Sequence, residues 1–182
     1  MYPPMKLSLD ELRLRTLGAA DADLLVEATG EESAAALWGP RPAGPYSSTD
    51  ARTALRAWDP ESAGPVSFGV LRGSRLVAAV GLMPSGERVA ELAYWVRPGQ
   101  RRQGIGSRAV TAVTRWAHEP AGVRRVWLEI NPDNEASLRL ARRSGYRFEE
   151  RLPRHCRCWT VDDPERDGWH DCLIWVHDLD AR

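Results

Sequence analysis

The segment Val96-Arg97-Pro98-Gly99-Gln100-Arg101-Arg102-Gln103-Gly104-Ile105-Gly106-Ser107 follows an apolar run, Leu92 to Val96, and opens a run of helical periodicity. A chain that passes from strand to helix through arginines and glycines builds a cradle for an anion. Glycine lets the backbone approach a bulky group without a Cβ in the way. The first N–H groups of the helix have no partner inside it, and the aligned peptide dipoles place roughly half a positive charge there. A phosphorylated cofactor is therefore expected at this corner.

The spacing excludes two common phosphate ligands. The phosphate loop of nucleotide triphosphatases needs Gly-Lys-Ser/Thr after a first glycine, and no Gly-Lys pair occurs in the chain. A dinucleotide fingerprint needs a third glycine, but Ala109 stands where Gly104 and Gly106 would be followed by one. No acidic ribose ligand follows a strand at the expected distance.

Composition narrows the class. Lys plus Arg and Asp plus Glu both total 25 in 182 residues, a formal net charge of zero. Nucleic-acid-binding domains usually carry a basic excess, so no nucleic-acid partner is expected, although Arg97, Arg101 and Arg102 form a local basic patch. No window approaches the roughly 18 apolar residues of a membrane span, and no signal-peptide core is recognisable. Three cysteines, an odd number, define no disulfide framework. The expectation is one soluble, cytoplasmic domain over residues 1–182.

Along the chain, Leu12 to Arg15 alternates as a half-exposed strand. Asp21 is placed to cap a short helix through Glu27, and a second helix runs from Ser48 or Thr49 to Trp58. The proline-rich stretch from Trp38 to Pro45 is a loop. Val66 to Leu71, Leu76 to Leu82 and Val89 to Val96 form a meander, with turns at Gly73 and at Pro84-Ser85-Gly86. Ile105, Ala109, Ala112, Val113 and Trp116 then define one helix face, ended by Pro120 and Gly122. Arg124 to Asn131 is a strand. Asn134 caps the next helix and Gly145 ends it. Two strands close the chain, about Tyr146 to Val161, interrupted at Pro153, and Trp169 to His177.

Arg101, Gly104 and Gly106 spell Arg-x-x-Gly-x-Gly. Asn134, Ser137, Gly145 and Tyr146 spell Asn-x-x-Ser followed by Gly-Tyr at the right distance downstream. Together these resemble the GNAT superfamily of N-acetyltransferases. Leu12 to Arg15, Glu91 to Val96 and Gly168-Trp169-His170-Asp171 are similar to its ribosomal-protein N-terminal acetyltransferase branch. The resemblance implies a mixed α/β fold. Its central sheet is twisted and mostly antiparallel, with about seven strands and about four helices, and splays at the strand before the glycine turn. It implies acetyl-CoA as cosubstrate, a primary amine as acceptor, and direct attack in a ternary complex. Dimerisation is common in that branch, so a homodimer is among the expected assemblies.

By the same resemblance, backbone N–H groups of Arg101, Arg102, Gln103, Gly104, Ile105, Gly106 and Ser107 hold the pyrophosphate. Trp95 and Val96 face the pantetheine, and the Val96 N–H stabilises the oxyanion. Asn134 contacts pantetheine as well as capping its helix. Ser137 donates to the leaving sulfur. Glu91, at the start of the strand whose far end holds the thioester, is the general base; Glu129 is a second carboxylate candidate. Two departures stand out. Ala141 occupies the position where many members carry a general-acid tyrosine, and Glu149-Glu150 replaces a common Glu-Gly.

Trp38, Trp58, Tyr94 and Trp95 are candidates for either an acceptor pocket or the core, and the acidic loop Asp162 to Asp167 for attracting a cationic acceptor. His155, Cys156, Cys158, His170 and Cys172 gather near the last hairpin. A register pairing Val161 with Trp169 sets Cys158 opposite Cys172. Cys-x-Cys is not a usual zinc spacing, and no metal is assigned. A non-catalytic acyl-CoA-binding module is the alternative to an enzyme.

Overall fold

Alternating apolar runs pair into one sheet whose two faces bury different halves of the chain. The computed structural model describes residues 2–31, 37–38, 45–61, 64–158 and 168–179. Among the described residues eight strands form, in order: β1 (Lys6–Leu9), β2 (Leu12–Thr16), β3 (Val66–Arg72), β4 (Arg75–Gly86), β5 (Val89–Val96), β6 (Arg125–Ile130), β7 (Arg147–Cys158) and β8 (Gly168–Asp178). The α-helices among the described residues are α1 (Ala22–Thr29), α2 (Ser48–Ala57), α3 (Ile105–His118) and α4 (Glu135–Arg143). The spatial order is β1-β2-β3-β4-β5-β6-β8-β7. Only β5 and β6 run parallel.

Successive side chains of a strand point to opposite faces. Phe68, Val80, Leu82, Leu92, Val126 and Leu128 therefore meet Ile105, Ala109, Val113 and Trp116 of α3 and Leu138 and Ala141 of α4. On the other face, Leu76, Ala79 and Trp95 meet Leu25 and Ala28 of α1, Ala51 and Leu55 of α2, and Trp58. Trp38, Trp58 and Trp95 are each 5% exposed and belong to this second core.

Several boundaries differ from expectation. The sheet has eight strands because Lys6–Leu9 folds back on β2 through Asp10, at φ 57°. Pro84, Ser85 and Gly86 stay in β4, with an irregularity between Pro84 and Gly86, and the turn falls at Glu87 and Arg88. Asp21 does not cap α1. Its carboxylate accepts from Arg15 at 2.6 and 2.8 Å and from the Gly18 N–H at 3.0 Å. Ser47 caps α2 by accepting from the Asp50 N–H. Most of the loop from Trp38 to Pro45, and the whole acidic loop Asp162 to Asp167, lie outside the described residues.

The parallel pairing is short. Val89, Ala90 and Glu91 pair with Arg125, Val126 and Trp127. Beyond them β5 stays with β4 as far as Val96 opposite Ala78, while β6 stays with β8 as far as Ile130 opposite Leu173. The two strands diverge, and α3 and α4 begin at the mouth of the V.

Gly81 lies on β4 where a Cβ would stand 2.5 Å from Trp58 and 2.7 Å from Leu37. Gly81→Ala is expected to cost about 1–3 kcal/mol in denaturant unfolding. Gly18→Ala, with nothing within 4 Å, should stay within about 0.5 kcal/mol of wild type.

Candidate active site

The edge of β5 that faces the V is set by ladder alternation. The Arg97 N–H donates to the Val77 carbonyl at 3.0 Å, so Arg97 and alternate residues before it turn their backbone groups toward β4. Val96 and Tyr94 then turn theirs into the V. The Val96 carbonyl accepts there from Arg101 Nε at 2.9 Å. Trp95 has the opposite phase: its backbone faces β4 and its side chain lies in the second core. The structure thus brings Val96, but not Trp95, to the V.

The glycine turn reaches the same mouth. Residues Pro98–Gln100 form a 3-10 turn, Arg102 has φ 60°, and Gly104 caps α3 at φ 73°. The Arg108 N–H donates to the Gly104 carbonyl at 3.0 Å. The N–H groups of Ile105, Gly106 and Ser107 precede that bond and have no acceptor within the helix.

The two glycines have different duties. Gly104 supplies a left-handed backbone, and a Cβ on it would meet nothing within 4 Å. Gly106 makes a close approach, but to the protein: a Cβ would stand 3.0 Å from Leu140 and 3.3 Å from Val96. The basic patch is also smaller than the sequence implied. Arg97 is 7% exposed and donates to Glu27 at 2.8 and 3.0 Å and to Glu31 at 3.1 Å, leaving Arg101 and Arg102 nearest the turn. Gln103 accepts from Arg72 at 3.2 Å and donates to the Gly99 carbonyl at 3.4 Å.

Asn134 caps α4, accepting from the Ser137 N–H at 3.1 Å. The Ser137 hydroxyl is thereby left for another partner, and accepts from the Tyr94 hydroxyl at 2.7 Å. Burial pushes the Tyr94 phenol up, and the Ser137 contact pulls it back. Ala141 packs in the first core, so the hydroxyls at this corner come from β5 and α4 together. Sequence reasoning saw Tyr94 only as a wall or core residue. Its even spacing from Val96 already put both on one face of β5.

Glu91 projects from the opposite face, with Ala93 and Trp95. Burial pushes its carboxyl up to about 7, and the nearby Glu129 charge adds to the shift. Glu129 is itself raised by burial, opposed by the His155 and His170 imidazoles. Glu129 Oε1 lies 2.9 Å from Cys156 Sγ and 3.5 Å from His155 Nε2.

The hairpin register differs from the expected one: Cys156 pairs with His170, Arg157 with Trp169 and Leu152 with Cys172. Pro153 lies within the irregularity between Leu152 and Cys156. As a result Cys158 falls opposite Gly168 in the register, and Cys156 meets Cys172. Their sulfurs are in disulfide contact, with Cα atoms 5.7 Å apart.

The family model for the GNAT acetyltransferase domain matches residues 11–147, and the chain belongs to that family. It is an N-acetyltransferase whose acetyl donor is acetyl-CoA. Similar solved structures share the fold. The ribosomal-protein-S5-alanine acetyltransferase of Vibrio fischeri is 14% identical with a TM-score of 0.81, covering 97% of this chain and 98% of that one. RimL, a ribosomal L7/L12 α-N-protein acetyltransferase solved with coenzyme A, is 16% identical at 0.78, covering 98% and 100%. Mycobacterium smegmatis RimJ, in complex with CoA-disulfide, is 17% identical at 0.73, covering 98% and 90%. No curated relative matches the chain in sequence. No helix among the described residues is long and apolar enough to cross a membrane.

The raised Glu91 carboxyl has a stability consequence. Its folded value near 7 exceeds the ordinary 4.5, so the neutral form favours folding. That contribution is complete below about 4.5 and is lost as pH rises through about 7. Glu91→Gln, permanently neutral, should unfold at higher denaturant than wild type above pH 7, by up to about 3 kcal/mol. The two proteins should converge below about pH 4.5.

Proposed function

We propose that the protein moves the acetyl group of acetyl-CoA to a primary amine by direct attack in a ternary complex. The observation that carries this reading is the V between β5 and β6. The Val96 backbone is turned into it, Glu91 stands on one face of β5 and the Tyr94–Ser137 pair on the other. The residues suit the donor: free N–H groups at the start of α3, with Arg101 and Arg102 beside them, match a pyrophosphate. Open space around Gly104 leaves room for it. Acetyl-CoA supplies an activated thioester. The similar solved chains are covered along nearly their whole length, which supports reading residues 1–182 as one domain.

Glu91 receives the ammonium proton, directly or through one water, and a carboxylate near 7 is matched to that task. The Val96 N–H donates to the carbonyl oxygen as negative charge develops on it. The Ser137 hydroxyl donates to the departing sulfur and is reprotonated by Tyr94, which replaces the tyrosine missing at Ala141. Asn134 holds the first turn of α4, and with it Ser137, in place. The acceptor is a protein α-amine or a small-molecule amine. The ribosomal-protein acetyltransferases among the structural neighbours favour the α-amine.

Calorimetric titration tests the cradle without knowledge of the acceptor. Micromolar binding of acetyl-CoA, about −8 kcal/mol, is expected, with 3′-dephospho-CoA compared alongside. No binding by folded protein would overturn the reading. Micromolar binding without turnover on any amine would instead favour an acyl-CoA-binding module.

Once an acceptor is in hand, kcat/KM should rise with pH through about 7 as Glu91 ionises, and this inflection should vanish in Glu91→Gln. Ser137→Ala and Tyr94→Phe should each lower kcat, by up to about 100-fold, while acetyl-CoA affinity stays near that of wild type. Unchanged kcat in both would remove the hydroxyl pair from the mechanism.

A further inference from the structure

The acetyl-transfer chemistry leaves one cluster unused. Cys156, His170 and Cys172 place two sulfurs and an imidazole nitrogen within 4.8 Å of one another. The backbone builds this meeting. Between Leu152 and Cys156 β7 carries three residues where β8 carries one, so the excess bulges out and Cys156 is drawn level with His170. Arg154 takes φ 49° in that bulge. Asp171 pins it by accepting from the Arg154 N–H at 2.9 Å and from Arg151 at 2.7 Å. Cys172 is fully buried, and Cys156 and His170 are half-buried.

We propose that, with Cys156 and Cys172 as free thiols rather than joined, these two residues and His170 form a binding site for one zinc-class divalent cation. Two thiolates and an imidazole are the donor set this ion prefers, and three protein ligands leave a fourth position open. An S–S bond accounts for two of the three converging atoms and makes no use of His170. It also requires an oxidant to remove two electrons. Cation uptake removes none: the metal–sulfur and metal–nitrogen bonds form and the thiol protons pass to solvent. Glu129 Oε1, 2.9 Å from Cys156 Sγ, places a carboxyl oxygen beside the cluster. The Cys-x-Cys spacing that argued against a metal does not apply, because the ligands come from two paired strands. Bound, the ion ties the end of β7 to β8 on the sheet face that carries Glu91.

The test is a cobalt titration of the full chain, reduced with a phosphine and stripped by chelator. One equivalent of Co2+ should produce a thiolate-to-cobalt charge-transfer band and the visible bands of a tetrahedral site, and Zn2+ should displace it. Zn2+ should also raise the thermal midpoint. Cys172→Ser and His170→Ala should lose the cobalt bands, whereas Cys158→Ser should keep them. Retained acetyl-CoA binding in the variants shows that they are folded and separates this result from the acetyltransferase reading. The site is overturned by absence of the bands in reduced wild type, by their survival in His170→Ala, by their loss in Cys158→Ser, or by metal-free protein whose Cys156 and Cys172 stay disulfide-bonded under reductant.

Discussion

The organising constraint is the shortness of the β5–β6 pairing. A parallel pair is joined by a crossover, here α3, and its bonds normally continue along both strands. In this protein they stop after Glu91, because each strand has a stronger commitment elsewhere. β5 is held by β4 through to Val96, and β6 is held by β8 through to Ile130. Backbone polar groups facing such a gap need partners. The V is therefore a standing demand for an extended ligand that carries hydrogen-bonding groups along its length, and the pantetheine arm of coenzyme A carries two amides.

Two further features depend on that divergence. Strand alternation places Glu91 and Tyr94 on opposite faces of β5, one toward the α1 and α2 side and the other toward α4. A group held in the V thus has a carboxylate on one side and a hydroxyl pair on the other without either being built on a mobile loop. At the end of the same strand, Arg97 turns toward α1 and pairs with Glu27 and Glu31. Its guanidinium is nearly buried while both carboxylates keep contact with water, so most of the desolvation falls on the arginine. Removing the glutamates would leave that charge uncompensated, a change that is usually strongly destabilising. This ion pair joins the end of β5 to α1 and the residues just beyond it. It is a structural use of an arginine that the sequence placed in the local basic patch.

Local signals were legible in the sequence and long-range ones were not. The apolar stripe of α3, the Asn134 cap and the turn at Gly104 each lie within a few residues, and their positions follow from period and capping chemistry. β1 escaped notice because four residues with mostly exposed side chains leave almost no apolar pattern. The β7–β8 register escaped because Pro153 interrupts the ladder, and a slip at a bulge changes which cysteine meets which. Arg97 with Glu27, and Tyr94 with Ser137, are separated by 70 and 43 residues, so only the folded sheet brings them together. Gly106 also packs closely against Leu140 and Val96, a contact between distant segments that no local pattern shows.

The acid–base match bears on which amine the site would accept. In the proposed mechanism a carboxylate near 7 takes a proton from the incoming ammonium. For an α-amine, with an ordinary value near 8, the transfer is uphill by about 1.4 kcal/mol; for a lysine near 10.4 it is uphill by about 4.6 kcal/mol. The difference, about 3 kcal/mol, corresponds to more than a hundredfold in the fraction of free amine presented to the thioester. A lysine acceptor would need that cost recovered from other contacts, such as burial of its ammonium, and a terminal α-amine would not. That difference comes from the amines' own ordinary values and would be the same for any base; in the proposed mechanism a carboxyl near 7 sets only the absolute climb, small for an α-amine and steep for a lysine.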